Sequence, residues 1–369
     1  MTDYLRAGKQ IGIIGGQKIG FLLAMKAKTM GFEINLLDPD PDCQAAFLAD
    51  HFIQADYHDS SALERLGLIS DVVTYTVDNL DVETLALSER HLNIPQSTDL
   101  LALTKDRLLL KGFLEECGVN TLPYATIIQM TDIEEKIDGI GYPCYVSNTR
   151  SDEKIYLEDP TNLFDILDLV KDGTCILEAV TPGARRLSVT VARNEQGHIT
   201  VLPAVEHIYD DERLVETIAV KDYLPLDLQE EIYRIGRLIA ENLENRGSIT
   251  LELLLSETGL VFVDNIIPVI NDKALYTQDT CIMDVFEVHL RSICNWPLME
   301  KIELLHDVII YHVIAREVTL MQRQIQHHPN WKFYFYNKDS NSLQGHVGHI
   351  TVINNDLQES LDELNQIMR

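Results

Sequence analysis

The chain has 369 residues, 46% of them hydrophobic and 24% charged, with 58 acidic against 30 basic side chains and a formal charge of −28. That length suits two or three domains with ordinary hydrophobic cores. A surface this acidic repels phosphate backbones and anionic lipid, which sets nucleic acid and membrane aside as partners. The six cysteines include no CxxC pair and are too scattered for a disulfide framework or a zinc cluster. The first ten residues lack a signal-peptide pattern, and no apolar run reaches membrane-spanning length. The expectation is a cytoplasmic protein with free thiols.

The first hundred residues alternate strand and helix signals. Gln10–Gly16 reads as a strand ending in glycines, Lys18–Met30 as a helix, Phe32–Leu37 as a strand, Ser70–Tyr75 as a third strand and Val82–His91 as a helix. Such alternation implies a parallel, right-handed α/β unit. Lys105–Cys117 reads as an amphipathic helix leading into a second unit, with strands near Tyr142–Ser147, Ile155–Leu157 and Cys175–Ala179 and a helix over Asn162–Val170. From Arg186 onward the pattern turns antiparallel, with hairpins about Gln196-Gly197 and Ser256-Glu257-Thr258-Gly259. Asp227–Asn245 reads as a helix N-capped by Asp227, with an apolar stripe through Leu228, Ile232, Ile235, Ile239 and Leu243. A long apolar helix is expected over Ile302–Met321, and more strands over Trp331–Asn354.

The turn Gly15-Gly16-Gln17-Lys18-Ile19-Gly20 sits between a strand and a helix, where glycines let a phosphate approach the backbone. Asp38 closes the next strand, near the position of a ribose-binding acid in a dinucleotide fold. Gln17 replaces the second fingerprint glycine, so a structural turn competes with a dinucleotide site. His327-His328 lacks acidic or cysteine partners at ligand spacing and reads as an exposed loop.

Seven stretches in register carry a family resemblance: Ile11–Gly20 (IGIIGGQKIG), Leu36–Cys43 (LLDPDPDC), Asp71–Asn79 (DVVTYTVDN), Lys105–Leu114 (KDRLLLKGFL), Leu177–Arg193 (LEAVTPGARRLSVTVAR), Phe286–Arg291 (FEVHLR) and Gly348–Val352. Together they resemble the carboxyaminoimidazole ribonucleotide synthetases, which are ATP-grasp ligases of purine biosynthesis. The resemblance implies an α/β and α+β architecture: a Rossmann-like parallel domain over residues 1–103, a linker helix and lid over 104–186, and an antiparallel domain with a small β subdomain over 187–369. It also implies a homodimer, ATP and Mg2+ as cofactors, and carboxylation of aminoimidazole ribonucleotide with bicarbonate through carboxyphosphate.

Carried over position by position, the resemblance implies that Arg107 contacts ATP and that Glu178 and Val180 read its nucleoside. It implies metal ligation by Glu252 on one hairpin strand and by Asp264 and Asn265 on the next. Here the family's Asn-Glu order is exchanged, and a one-residue move on a strand aims Asp264 at the opposite face. The lid lysine position is Ser147, and the loop Asn148–Lys154 has no glycine to fold over a triphosphate. Lys154 or Arg150 would have to stand in. On the substrate side the resemblance implies Asp78, Asn79 and His346. Val269 and Leu275 replace an Arg and a His, and Gly345-His346 replaces a basic pair, leaving Lys273 as a candidate catalytic cation. Two readings follow: a ligase whose activity is weakened or lost, and a non-catalytic paralogue that binds a nucleotide or a protein. Gln17 and the downstream signals disfavour an NAD-dependent oxidoreductase.

Overall fold

The computed structural model describes residues 4–151, 153–336, 345–353 and 357–368. Asp152 of the loop before Lys154 lies outside them, as does the stretch 337–344 in the C-terminal run of strands. The chain divides into two compact units, one formed by 1–98, 187–250 and 267–369, the other by 99–186 and 251–266.

The first unit opens with the strands β1 (Gln10–Ile14), β2 (Glu33–Asp38), β3 (His51–Gln54) and β4 (Val72–Tyr75), all parallel in the order β3-β2-β1-β4. Ile11, Ile13 and Ile14 are fully buried because helices cover this parallel sheet, which explains its unbroken apolar runs. Helix Lys18–Thr29 leaves β1 through the glycine turn and packs against helix Val285–Ile293, with Leu23, Phe286 and Leu290 in the shared core.

The second unit is built on β5 (Tyr124–Ile127), β6 (Cys144–Asn148), β7 (Lys154–Leu157) and β8 (Cys175–Ala179), antiparallel in the order β5-β8-β6-β7. Its core holds Ile127, Ile133, Val146, Leu157 and Leu177. The helix expected over Asn162–Val170 is instead a 3-10 turn at Pro160–Asn162 followed by helix Leu167–Asp172. Asp159 accepts from Thr161 N at 2.7 Å, and Pro160 follows it, so the cap and the proline favour a tight turn.

The remaining strands are β9 (Arg185–Arg193), β10 (Ile199–Val201), β11 (Val205–Asp210), β12 (Arg213–Ala219), β13 (Gly247–Leu255), β14 (Val261–Ile267), β15 (Val308–Ile314), β16 (Lys332–Phe335) and β17 (His346–Ile353). In the first unit they order as β13-β9-β11-β12-β15-β17-β16, with β10 paired onto β9. Only the start of β13 lies there. The outer part of the β13–β14 hairpin, 251–266, belongs to the second unit.

Two more helix expectations need correction. Ile302–Met321 is not one helix: β15 occupies Val308–Ile314, a 3-10 turn follows at Ala315–Glu317, and α-helix begins only at Val318–Gln324. All seven β15 residues are buried, so the strand lacks the alternation that separates it from a helix, and its β-branched content decides. The helix expected over Asp227–Asn245 spans Leu226–Asn242, with Pro225 at the N-cap and Asp227 inside the first turn. Leu243 is already extended, yet it stays buried beyond the helix end.

Candidate functional site

The glycine turn is explained by its backbone. Gly15 has φ +98°, and a Cβ on Gly20 would stand 1.9 Å from the Gly15 carbonyl oxygen, so neither position tolerates a side chain. Asp38 is fully buried, and its Oδ2 accepts from Gly16 N at 2.6 Å and from Tyr57 Oη at 2.9 Å. The carboxylate that would hold a ribose in a dinucleotide fold is spent on the turn itself.

In the second unit, helix Arg107–Glu116 is capped by Asp106, whose carboxylate accepts from Leu108 N and Leu109 N. Arg107 and Lys111 lie one turn apart on one face of this helix, and both reach Glu178 on β8. The Arg107 Nε and Nη2 atoms donate to Glu178 Oε2 at 3.0 and 2.5 Å, and the Lys111 ammonium forms an ion pair with Oε1. Arg107 Nη2 also meets Asp264 Oδ1 at 3.1 Å. The Lys111 side chain is wholly buried and that of Glu178 is 6% exposed. Burial alone would lower the Arg107 pKa, but the carboxylates of Glu178 and Asp264 outweigh it and raise it. Val180 N–H is already bonded to Pro143 O at 3.4 Å, and Ala179 N–H to Pro123 O at 2.9 Å. A base laid along this segment would compete with those bonds.

The hairpin brings two of the three expected metal ligands together, though not as a metal pair. Asn265 Nδ2 donates to Glu252 Oε2 at 3.0 Å, and Asn265 Oδ1 accepts from Ile266 N at 2.9 Å. Asp264, one residue earlier, faces Arg107 instead, as strand alternation requires. The acid and the amide have exchanged strand faces as well as sequence positions. Glu252 therefore meets an amide donor, where the expected magnesium site would call for a second hard oxygen.

Ser147 ends a buried stretch of β6, and Lys154 is its direct partner across the β6–β7 ladder. Paired residues on antiparallel strands share a face, so the cation missing from one strand stands on its neighbour. Lys154 Nζ lies 5.3 Å over the Tyr145 ring. Arg150 is taken up by Asp106, with Nε to Oδ2 at 3.0 Å.

The first unit carries a cavity of about 480 Å³, whose lining includes Asp78, Arg213, Asp272, Lys273 and His346. Asn79 is exposed and does not line it. Lys273 Nζ lies 5.9 Å over the Tyr209 ring. Asp272 Oδ2 binds Lys18 Nζ at 2.6 Å and His346 Nδ1 at 2.7 Å, while His346 Nε2 donates to Leu214 O at 2.9 Å. Burial would raise the Asp272 carboxyl, but the Lys18 ammonium and the His346 and His312 imidazoles hold it well below the usual carboxylate range. Among the described residues, Asp272, His312 and His346 are the one group of three potential metal-binding side chains that meets within reach of an ion.

Lys111 and His312 escaped the sequence reading. Lys111 had a signal, its i,i+4 spacing from Arg107. His312 was hidden in the run misread as helix. The pair His327-His328, read as a loop, lies in a turn where His328 stacks on Trp331 at 3.9 Å.

Residues 8–104 match the ribonucleotide synthetase preATP-grasp domain and residues 112–286 match the ATP-grasp domain. The N5-carboxyaminoimidazole ribonucleotide synthase of Staphylococcus saprophyticus is 29% identical over 98% of this chain and 97% of its own length. A crystal structure of an N5-carboxyaminoimidazole ribonucleotide synthetase in complex with ADP superposes with a TM-score of 0.93 at 30% identity, covering 100% of this chain and 98% of that one. The Staphylococcus aureus enzyme complexed with ADP gives a TM-score of 0.92 at 27% identity, covering 100% of this chain and 99% of that one.

Proposed function

This chain belongs to the carboxyaminoimidazole ribonucleotide synthetase family of ATP-grasp proteins, and from that premise we propose that it binds purine nucleotides but carboxylates aminoimidazole ribonucleotide very slowly or not at all. The observation that carries the reading is the Asn265–Glu252 hydrogen bond. A ligase of this class stabilises charge on transferring phosphoryl oxygens with metal and preorganised cations. The donor set here does not fit a two-carboxylate magnesium site: one acid meets an amide, and Asp264 is committed to Arg107.

Nucleotide binding is supported by the ADP complexes of the relatives and by the side chains that remain. Arg107 is 28% exposed, so its guanidinium keeps an open edge for phosphate despite its ion pairs. Lys154 adds a cation beside Ser147, and the base would lie along Glu178–Val180, displacing the long Val180 N–H bond to Pro143 O. In the first unit, Asp78, Lys273 and His346 would face the ribonucleotide. Val269 lines that cavity where the family likeness implies an arginine, which leaves Arg213, Lys273 and His346 as its basic side chains. We place the protein in the cytoplasm as a homodimer by family likeness. Calorimetric titration tests the binding step. ATP should bind, and magnesium should tighten it less than tenfold. No heat at millimolar ATP would favour the protein-binding paralogue, and strong magnesium dependence would restore the ligase reading.

A further inference from the structure

Behind the first unit's cavity stands a set of buried polar side chains of which the proposed nucleotide chemistry uses only His346. Asp272 and His346 line the cavity, and fully buried His312 stands on the adjacent strand β15, its ring 4.9 Å from that of His346. One ligand atom from each of the three lies within 4.8 Å of the others. His312 Nδ1 is buried without a hydrogen-bond partner. A buried ring nitrogen left unpaired is costly, so its presence calls for an explanation.

We infer that Asp272, His312 and His346 bind one divalent first-row transition-metal ion of the Zn2+ type.

The outer atoms of both rings are already held as such a site requires. A ligating histidine donates its other N–H to a carbonyl, carboxylate or hydroxyl, which fixes tautomer and orientation. His346 Nε2 donates to Leu214 O at 2.9 Å, leaving Nδ1 for the ion once its proton has gone. His312 Nε2 lies 3.0 Å from Thr217 Oγ1. The contact continues as a buried chain, from Thr217 Oγ1 to His207 Nδ1 at 3.0 Å and from His207 Nε2 to Ser188 Oγ at 2.7 Å. Run in one direction, His312 donates to Thr217, Thr217 to His207, and His207 to Ser188. That direction leaves a free lone pair on buried His312 Nδ1.

Two imidazoles and a carboxylate select zinc, iron, nickel or copper over magnesium, which prefers all-oxygen octahedra. Closing the three ligands around bonds of roughly 2.0–2.2 Å needs modest side-chain rotation. The open coordination position would face the cavity lined by Asp272 and His346. Lys18 is the opposing group, because its ammonium holds Asp272 Oδ2. It must yield to the ion or share the carboxylate, and the Tyr336 ring 5.7 Å away offers it another seat.

That opposition gives the test a signature. Chelator-stripped full-length protein is titrated with Zn2+ by calorimetry and with Co2+ by visible absorption. We expect one ion per chain. Asp272→Asn and His346→Asn should each weaken binding at least tenfold. Lys18→Met, which removes a competing cation, should tighten it at least tenfold, an effect that misfolding does not mimic. His328→Asn should change nothing, and millimolar Mg2+ should not displace the ion. Failure to saturate at one equivalent, or affinity unmoved by both His346→Asn and Lys18→Met, overturns the site. So does binding lost in His328→Asn and kept in His346→Asn.

Discussion

Asn265 donates an amide hydrogen to Glu252 across 3.0 Å of the β13–β14 hairpin, at the position where the family resemblance implies two carboxylates around magnesium. The bond makes the hairpin self-sufficient without an ion. Asn265→Glu should reverse that state. Two carboxylates at this spacing repel by about 1–4 kcal/mol, depending on local dielectric. The variant should therefore melt below the parent without metal and recover with millimolar Mg2+, while the parent melts alike in both. A parent whose melting rises with Mg2+ would show that the amide does not close the site.

The Lys111–Glu178 pair makes a stability prediction. Glu178→Gln leaves the Lys111 ammonium buried without its counter-charge, although Arg107 keeps Asp264. Breaking one side of a buried pair costs about 3–5 kcal/mol, whereas replacing both partners with apolar or neutral groups is often near neutral. Urea unfolding should show that loss for Glu178→Gln and recover most of it when Lys111→Met is added. Equal losses in the single and double variants would mean that the pair is not coupled.

Acid sensitivity should begin above the carboxylate range. Ser248 N–H donates to His289 Nδ1 at 3.0 Å, so the ring is neutral and gives its Nε2 proton to Thr74 Oγ1 at 2.8 Å. Burial pushes the His289 pKa down to about 3, and burial pushes that of His349 down to about 4. Both are depressed below the unfolded value near 6.5. Their contribution is complete above pH 6.5. It falls as pH drops toward 4, because the unfolded chain takes up protons that the folded rings refuse. The slope is up to roughly 1.4 kcal/mol per pH unit for each ring. Urea midpoints at pH 7.5, 6.0 and 5.0 should decline, and less steeply in His289→Gln. A flat profile over that window contradicts the assignment.

Much of this architecture can be read from local chemistry. Gly15, Gly20 and the alternation of β1, helix and β2 announce a parallel unit because each glycine answers to a backbone approach. The Asp264-Asn265 exchange was legible because strand alternation turns a one-residue swap into a change of face. What was not legible depends on partners far away in sequence. β15 has no period because both of its faces are buried. The role of Asp38 rests on Gly16 N and Tyr57, and that of Lys111 on Glu178. No pattern within a short window records those meetings.

Lys154 stands opposite Ser147 on the same face of the β6–β7 pair. If it substitutes for the lid lysine, Lys154→Met should weaken ATP binding several-fold. Moving the charge back, with Ser147→Lys added to Lys154→Met, should restore it. Calorimetric ATP affinities decide, and an unchanged affinity in Lys154→Met removes this residue from the nucleotide site.

Turnover tests the central claim most directly. ADP release is measured with aminoimidazole ribonucleotide, bicarbonate and Mg2+, beside a Glu252→Gln variant. Losing one preorganised oxyanion donor commonly costs about 10²–10³ in rate. By the family likeness, the lid lysine, the loop glycines, the second metal carboxylate and the basic pair near residue 346 would all be replaced in this chain, although losses within one site need not multiply. Substrate-dependent ADP release should be at or near background in the parent and unchanged by Glu252→Gln. Release at an ordinary enzymatic rate of about 1–10³ s⁻¹, dependent on the ribonucleotide and abolished by Glu252→Gln, would contradict the account.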